Sequence, residues 1–242
     1  MIRIGTAGWS IPKAERERFP EGGSILERYA GVFNGVEINS SFYRPHKPET
    51  YARWAASTPE GFQFSAKLPK AITHERRLVG AEVLLDGFLA ETAALGDKRG
   101  PILIQAPPSL RFDPHIAGAF LSLFRERCEG EAALEPRHAS WFTTEAEALL
   151  GQFRIARVAA DPALAQAAQP GGWRGFSYWR LHGSPQMYAS AYGRQRLEAL
   201  AAQLTAPAWV ILDNTMHGAA TQDALLLRGA LRERTPDAKL AP

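Results

Sequence analysis

The feature that most constrains this chain is the alternation of strand-like and helix-like segments along almost its whole length. Short runs rich in β-branched and aromatic residues predict eight strands, and amphipathic segments that begin at capping residues follow most of them. Such alternation favours a parallel sheet covered by helices. Eight units within 242 residues favour a TIM-type (β/α)₈ barrel over an open sheet, because such barrels typically need about 250 residues.

The predicted strands cover residues 1–7, 35–39, 62–67, 101–105, 132–135, 153–159, 175–181 and 208–213. The predicted helices cover residues 24–33, 48–56, 83–95, 114–127, 143–150, 189–204 and 219–234. The sixth connection, 161–174, is rich in Pro and Gly and only weakly helical, so we expect the barrel to be irregular there. No break in composition divides the chain, which predicts one domain over residues 1–235 and a flexible tail at 236–242.

Composition excludes several classes of protein. With 45% hydrophobic and 22% charged residues, the chain resembles an ordinary globular domain rather than a disordered one. A single cysteine, Cys128, cannot form an internal disulfide or a cysteine-based zinc site, and it fits a reducing compartment. No apolar run is long enough to span a membrane, and the N-terminus lacks a signal-peptide pattern. We therefore expect a cytoplasmic protein with no membrane partner.

Alternation along the strands sends polar side chains to one face. In the second strand, Val36 and Ile38 would face the helices, so Glu37 and Asn39 would point into the barrel. The same alternation directs a further set of polar residues inward: Gln63, Ser65, Lys67, Gln105, Glu135, Arg137, Tyr178, Arg180 and His182.

The ionisable members of this set lie near the C-terminal ends of their strands, as does Asp213 in the last strand. Barrel enzymes have their active sites at that end. Buried charges without partners are costly, so these groups must pair with one another or face a wet pocket. An ion network that only fills the barrel stays open as an alternative, but the gathering of charge at one end favours a functional pocket.

Aromatic and polar residues also follow the predicted strand ends in the loops. Rings beside cations can form stacking walls for a planar or sugar-like ligand. We predict substrate contacts for Trp9, Asn39, Tyr43, His74, Gln105, Arg137, His138, Trp141, Arg180, Tyr192, Asp213 and Asn214. We predict catalytic roles for Glu37, Lys67, Glu135 and His182.

Seven segments carry a resemblance to a known family. They are GTAGWS (5–10), VEINSSFYR (36–44), TPEGFQFSAKLPKAITHERRL (58–78), GPILIQAPPSLRFD (100–113), EPRHASWF (135–142), YWRLHGSP (178–185) and LDNTMHGAATQDAL (212–225). In this order they resemble domain of unknown function 72, also called the YecE-like family, over nearly the entire chain. The form EPRH resembles one bacterial branch, whereas the loop at 10–21 lacks the aromatic-rich stretch of many members. The resemblance implies a TIM-type barrel and supplies no reaction.

The residues themselves favour a pocket for an anionic, phosphate-bearing small molecule. Lys67, Arg137, Arg180 and His182 would supply positive charge, since Arg offers a fork to phosphate oxygens and Lys a point charge. Glu carboxyls at the same end could act as general acid or base. The enzyme class stays open between a hydrolase and a lyase or isomerase that acts on a phosphorylated substrate.

Three alternatives remain. Basic residues interleaved with aromatic ones also suit nucleic acid, although a net charge of +3 and the lack of a dense basic stripe count against it. A divalent metal could bind His and carboxylate side chains, although no tight ligand spacing is present and we predict no cofactor. A glycosidase that pairs Glu37 with Glu135, or an imine-forming enzyme that uses Lys67, has the required residue types. Nothing in the sequence indicates an oligomeric state.

Overall fold

Two β-sheets with helices packed on their outer faces make up this mixed α/β fold. The computed structural model describes residues 1–164 and 169–234, so the predicted tail at 236–242 lies outside the described residues. One sheet contains, in spatial order, β1 (Ile2–Thr6), β10 (Ala208–Leu212), β9 (Ser177–Leu181) and β7 (Ala159–Asp161). The other contains β2 (Gly35–Ile38), β3 (Gln63–Lys67), β4 (Arg99–Gln105), β5 (Ala132–Glu135), β6 (Ala156–Arg157) and β8 (Gly171–Gly172).

Within the described residues, seven α-helices alternate with these strands, and several begin at the capping residues that the sequence predicts. They are α1 (Ile25–Ala30), α2 (Pro48–Ala56), α3 (Glu82–Thr92), α4 (Pro114–Arg127), α5 (Thr144–Gln152), α6 (Arg194–Gln203) and α7 (Ala219–Arg234). Ser24 and Glu27 form a reciprocal capping box before α1, and Asp113 and Thr143 accept backbone hydrogen bonds at the starts of α4 and α5. Among the described residues, no helix is long and apolar enough to cross a membrane. The cytoplasmic location stays a prediction.

The sixth unit departs from the regular strand–helix pattern, as its Pro and Gly content predicts. The predicted strand at 153–159 is divided into β6 and β7, which flank Val158 and pair with different sheets. β8 then runs antiparallel to β6, whereas the other paired strands are parallel. The described residues between β7 and β9 contain no helix, with 165–168 outside the description.

An apolar cluster is built from side chains of both sheets. Tyr178 and Trp209 stack with ring centroids 6.2 Å apart and an interplanar angle of 5°. Leu103 and Ile211 pack in the same cluster. A Cβ at Gly100 would lie 2.5 Å from the Trp209 ring, so glycine is needed for the ring to fit. The buried charged side chains of β3, β5 and β9 lie at or next to the C-terminal ends of these strands.

The edges of the two sheets approach each other at two places. The Val158 amide, between β6 and β7, donates to the Leu134 carbonyl at 2.9 Å. On the other side, Ala7 forms an isolated parallel bridge with Glu37, whose carbonyl accepts from the Gly8 amide at 2.8 Å. The first contact joins the residue between β6 and β7 to β5, and the second joins the residues just after β1 to β2.

Candidate functional site

The Arg180 side chain is the centre of a buried ion network. Its Nε and Nη2 donate to the two carboxylate oxygens of Glu37 at 3.0 and 2.7 Å. Nη1 donates to Glu135 Oε2 at 2.5 Å, and Nη2 also reaches Asp213 Oδ2 at 3.0 Å. Arg180, Glu37 and Glu135 are fully buried. One guanidinium from β9 therefore bonds to carboxylates from β2, from β5 and from just beyond β10.

Charge pairing outweighs burial in this network. Burial alone would lower the pKa of Arg180, but Glu135, Glu37 and Asp213 together raise it well above its usual value. Burial would likewise raise the pKa of Glu135 and of Asp213, but Arg180 and His182 hold both below their ordinary values. The three carboxylates thus keep Arg180 charged and accept hydrogen bonds from its guanidinium. A ligand could not engage its guanidinium without displacing one of them.

His182 extends the network through both ring nitrogens. Nε2 lies 2.8 Å from Glu135 Oε1, and Nδ1 lies 3.0 Å from Asp213 Oδ2. Arg137 Nη2 also lies 2.9 Å from Nε2. A doubly protonated ring can donate to both carboxylates, whereas a ring with bare Nε2 can accept from Arg137. His182 therefore has a hydrogen-bond partner in either protonation state.

Lys67, at the end of β3, is the exception among the buried charges. The residue is only 5% exposed, and its Nζ lies 4.2 Å from the centre of the Phe42 ring. No carboxylate in the described part of the chain lies within ion-pairing distance of Nζ, and no described group hydrogen-bonds to it. Burial, reinforced by the charge of Arg180, lowers the pKa of Lys67 to about 8 despite partial compensation from nearby carboxylates.

The turn that follows β3 places His74 against the other edge of Phe42. This turn is a π-helical segment, Ala71–Glu75, and its His74 ring meets Phe42 edge-on at 5.0 Å. His74 Nδ1 lies 2.8 Å from Thr73 Oγ1. Burial and the charge of Lys67 lower the pKa of His74. Asn39, after β2, has a buried Oδ1 with no partner among the described residues.

The structure brings some of the other predicted residues to this network and leaves others apart. Gln105 Nε2 donates to Glu135 Oε2 at 3.2 Å. Trp141 is instead 1% exposed, and its Nε1 donates to the Leu110 carbonyl at 2.9 Å, so neither face of its ring is open to a ligand. Tyr192 bonds through its hydroxyl to the Gly183 amide and the Asp161 carbonyl, which fixes the loop after β9.

Four further predicted residues serve mainly local contacts. Asn214 donates to Asp223 at 2.7 Å and to a loop carbonyl. Trp9 packs edge-on against Trp54 at 5.0 Å, and His138 accepts from the Ser140 amide at the start of a short 3₁₀ turn. Tyr43, by contrast, is 68% exposed. Whether any of these contacts substrate stays a prediction.

Comparison with known proteins agrees with the resemblance in the sequence. The sequence model for the family described as "Protein of unknown function DUF72" matches residues 3–242. This chain belongs to the DUF72 family. UPF0759 protein YecE of Escherichia coli K12 is 34% identical over 177 residues, which cover 70% of this chain and 62% of YecE. UPF0759 protein YunF of Bacillus subtilis 168 is 27% identical over 149 residues, which cover 59% of this chain and 53% of YunF. The matched region spans less than two thirds of either relative.

Solved structures of DUF72 family proteins share the fold of this chain. One from Thermotoga maritima MSB8 has a TM-score of 0.80 and 24% identity, with 96% of this chain and 99% of that chain covered. One from Enterococcus faecalis V583 has a TM-score of 0.80 and 21% identity, with 96% of each chain covered. These similarities establish the fold and the family, and they leave the reaction open.

Three residues that sequence reasoning did not assign to the site of this DUF72 protein contact its network. The Tyr178 hydroxyl lies 3.0 Å from Glu37 Oε2, and Phe42 contacts Lys67. The Tyr188 ring lies 5.6 Å from the His182 ring, edge to face. Tyr178 stands two residues before Arg180 on the same face, so the alternation that located Arg180 also located Tyr178. Tyr188 and Phe42 lie beyond strand ends, where alternation gives no direction.

The donor set of this DUF72 protein is arranged around a guanidinium. Across residues 1–164 and 169–234, no group of three or more His, Cys, Asp or Glu side chains is placed to hold a metal ion. The three carboxylates that the sequence offers as ligands instead point at Arg180. A divalent cation at their centre would have to compete with a charge already present there.

Proposed function

We propose that this DUF72 protein binds a small anionic, phosphate-bearing molecule at the C-terminal ends of its parallel strands. The observation that carries the proposal is the placement of two cations, Lys67 and Arg137, on the outer side of an internally paired network. Lys67 is 5% exposed and the Arg137 side chain 10%, whereas the Glu135 and Arg180 side chains have no exposed surface. A molecule that enters at this end can reach Lys67 and Arg137, together with the partly exposed Asp213, but not the fully buried Glu37 and Glu135.

Lys67 Nζ and Arg137 Nη1 make no hydrogen bond within the described residues, whereas every guanidinium nitrogen of Arg180 bonds to a carboxylate. Arg137 Nε lies 2.9 Å from Glu135 Oε1 and Nη2 contacts His182, but Nη1 makes no hydrogen bond within the described residues. A lysine point charge beside an arginine fork is a suitable combination for a phosphate group. In this arrangement Arg180 does not contact the ligand, and its role is to fix the positions of the three carboxylates.

The proposal includes a closed ring of eight parallel strands, formed by β1, β2, β3, β4, β5, the β6–β7 pair, β9 and β10. Support comes from the two places where the sheet edges meet, at Val158 and at the bridge between Ala7 and Glu37. The hydrogen bonds of Arg180 to Glu37 and Glu135 also cross from one sheet to the other. In such a ring the charged residues lie at the mouth where barrel enzymes act.

A proton-transfer step on the bound anion is the chemistry that these residues support. His182 can donate to Glu135 and Asp213 or accept from Arg137, so either protonation state is accommodated. A side chain with a hydrogen-bond partner in each state can take up and release a proton during a reaction. The reaction class would then be a hydrolase, lyase or isomerase that acts on a phosphorylated substrate.

Titration calorimetry with inorganic phosphate tests the binding proposal. We expect the full-length protein to bind phosphate at low salt, with affinity that falls as salt rises. Lys67→Met and Arg137→Met should each weaken binding by about tenfold or more, the range for a lost charged hydrogen bond. Lys70→Met is the control, because Lys70 pairs with Glu75 at the surface and is outside the network.

Two results would overturn the binding proposal. One is the absence of phosphate binding at low salt, and the other is equal affinity in Lys67→Met and Lys70→Met. Titration with a single-stranded oligonucleotide under the same conditions provides the comparison with nucleic acid. Tighter oligonucleotide binding that survives Lys67→Met would also contradict the proposal, because the cations that bind would then lie elsewhere.

A further inference from the structure

The lysines of this chain differ sharply in what their amines contact. Lys70 Nζ pairs with Glu75 at 3.2 Å on the surface. Lys98 Nζ donates to the carbonyls of Ala55 and Thr58 at 2.7 and 2.5 Å. Lys67 Nζ has neither kind of partner among the described residues, and it lies over the apolar face of Phe42. An amine that is buried without a counter-ion or an acceptor is an uncommon use of lysine.

We propose that the Lys67 amine forms a covalent imine with the carbonyl group of an anionic aldehyde or ketone. The proposal rests on the proposed anion site, because Arg137 would hold the anionic group while Lys67 reacts with the carbonyl. Two observations carry it: the near-complete burial of Lys67 and the absence, among the described residues, of any ion pair or hydrogen bond to its Nζ. The substrate class is thereby narrowed from phosphate-bearing molecules in general to those with a reactive carbonyl.

The chemistry balances without a further reactant. The neutral amine forms an N–C bond with the carbonyl carbon, and the π electron pair of the carbonyl moves to its oxygen. Proton transfer from nitrogen to that oxygen gives a carbinolamine. The C–O bond then breaks as the nitrogen lone pair forms C=N, and one water molecule leaves. His182, in the same network, is the acid–base group that we assign to the proton transfers.

The charges around Lys67 favour the neutral amine that this step needs. Arg180 from β9 repels the ammonium form, while Glu37 from β2, Glu135 from β5 and Asp213 beyond β10 attract it only in part. His74, on the turn after β3, is the remaining titratable neighbour. With the Lys67 pKa lowered to about 8, roughly a tenth of the amine is neutral at pH 7, against less than about a thousandth for an ordinary lysine.

Reductive trapping with glyoxylate tests the inference. The full-length protein is incubated with glyoxylate, a small anionic aldehyde, and cyanoborohydride at pH 7, and the modified lysines are located by peptide mass spectrometry. We expect Lys67 to be modified at least about tenfold faster than Lys70, because burial lowers the pKa of Lys67 and so raises the neutral fraction of its amine. Its rate should rise with pH to a half-maximum near pH 8, where the Lys67 amine titrates. Lys67→Arg should abolish this fast adduct, and Lys70→Arg should retain it.

The comparison of Lys67 with Lys70 inside the wild-type protein does not depend on any variant folding. Equal or slower modification of Lys67 would overturn the inference. Phosphate binding that depends on Lys67, found together with no Lys67 adduct, would leave the anion site standing and remove only the imine. A fast Lys67 adduct found without phosphate binding would support the imine and refute the phosphate site.

Discussion

Arg180 and Lys67 are two buried cations of one polar cluster with opposite surroundings. Arg180 donates four hydrogen bonds to three carboxylates, whereas Lys67 contacts an aromatic ring and has no carboxylate within ion-pairing distance in the described part of the chain. The pKa of Arg180 is raised by its partners, and that of Lys67 is lowered to about 8 by its burial. Similar burial therefore produces a permanently charged group in one case and a titrating amine in the other.

The difference follows from the shapes of the two side chains. A guanidinium presents five donors in a rigid fork, which can serve several carboxylates at once. An ammonium is a compact charge whose pKa shifts readily when it is buried. Arg180 thus offsets the desolvation of three carboxylates. Burial instead disfavours the charge of Lys67 and lowers its pKa, and a strongly perturbed pKa is typical of functional positions.

The largest effect should come from removal of the paired cation. Arg180→Met leaves Glu37, Glu135 and Asp213 buried without their common partner, so we expect a loss of about 3–5 kcal/mol in the free energy of unfolding at pH 7. Urea denaturation measures it, with exposed Arg174→Met as the control expected to change stability by less than about 0.5 kcal/mol. A loss below about 1 kcal/mol for Arg180→Met would mean that the network does not support the fold.

The pH dependence of that loss has a definite sign. The pKa values of Glu135 and Asp213 lie below their ordinary values in the folded protein, largely because Arg180 opposes the effect of burial. The stability they contribute is present above the pKa of the unfolded carboxyls and is lost as the pH falls through the folded values. The difference between wild type and Arg180→Met should therefore shrink as the pH is lowered below about 4.

Removal of Lys67, the unpaired cation, should raise the free energy of unfolding rather than lower it. The Lys67 amine has a pKa of about 8 when folded and an ordinary pKa when unfolded, so the folded state disfavours its charge by up to about 3 kcal/mol below pH 8. That penalty falls between pH 8 and about 10.5 and then vanishes. Lys67→Met should thus stabilise the protein at pH 7, and the gain should disappear by about pH 10.5.

Urea denaturation of Lys67→Met, wild type and the surface variant Lys70→Met at both pH values checks this prediction. Lys70→Met should change stability by less than about 1 kcal/mol, because exposed ion pairs contribute little. Destabilisation of the protein by Lys67→Met at pH 7 would contradict the contrast between the two cations.

A smaller loss of stability should follow removal of a single hydroxyl that hydrogen-bonds to the network around Arg180. Tyr178→Phe removes the group that lies 3.0 Å from Glu37 Oε2 and 2.8 Å from Ser65 Oγ. We expect a loss of about 1–2 kcal/mol, because two buried polar groups lose a partner. Tyr43→Phe, at an exposed position, should leave stability unchanged. Equal stability of the two variants would show that the Tyr178 hydroxyl contributes nothing to the network.

Much of the fold could be predicted because residues at the ends of helices and the periodicity within them mark the observed elements. The predicted bounds of α2, α4 and α7 coincide with the observed ones, and Pro in the first turn of α2 and α4 marks their starts. The predicted helix at 189–204 instead begins at Arg194. The preceding loop is held by the Tyr192 hydroxyl, and Gly193 adopts a positive φ of 76°. Tertiary contacts of this kind have no signature in a local pattern.

The candidate site could be located from the sequence, but its pairing could not. Period-two alternation placed Glu37, Lys67 and Arg180 on the same inward face, and the structure brings them to one cluster. Which cation forms ion pairs with the carboxylates depends on strand register and on the length of each side chain. The alternation of polar and apolar residues predicts neither of these. Trp141 shows the same limit beyond a strand end, since its ring is buried where a rim position was expected.

The most direct test of this contrast is the titration of the lysine side chains by nuclear magnetic resonance. The six lysines of the chain, labelled with ¹³C and ¹⁵N, are followed from pH 6 to pH 11 in the wild type and in Lys67→Met. We predict that one lysine titrates near pH 8 and that its signal is missing from Lys67→Met. If no lysine signal of the wild type titrates near pH 8, or if such a signal persists in Lys67→Met, then Lys67 is not a buried, unpaired amine and the account is wrong.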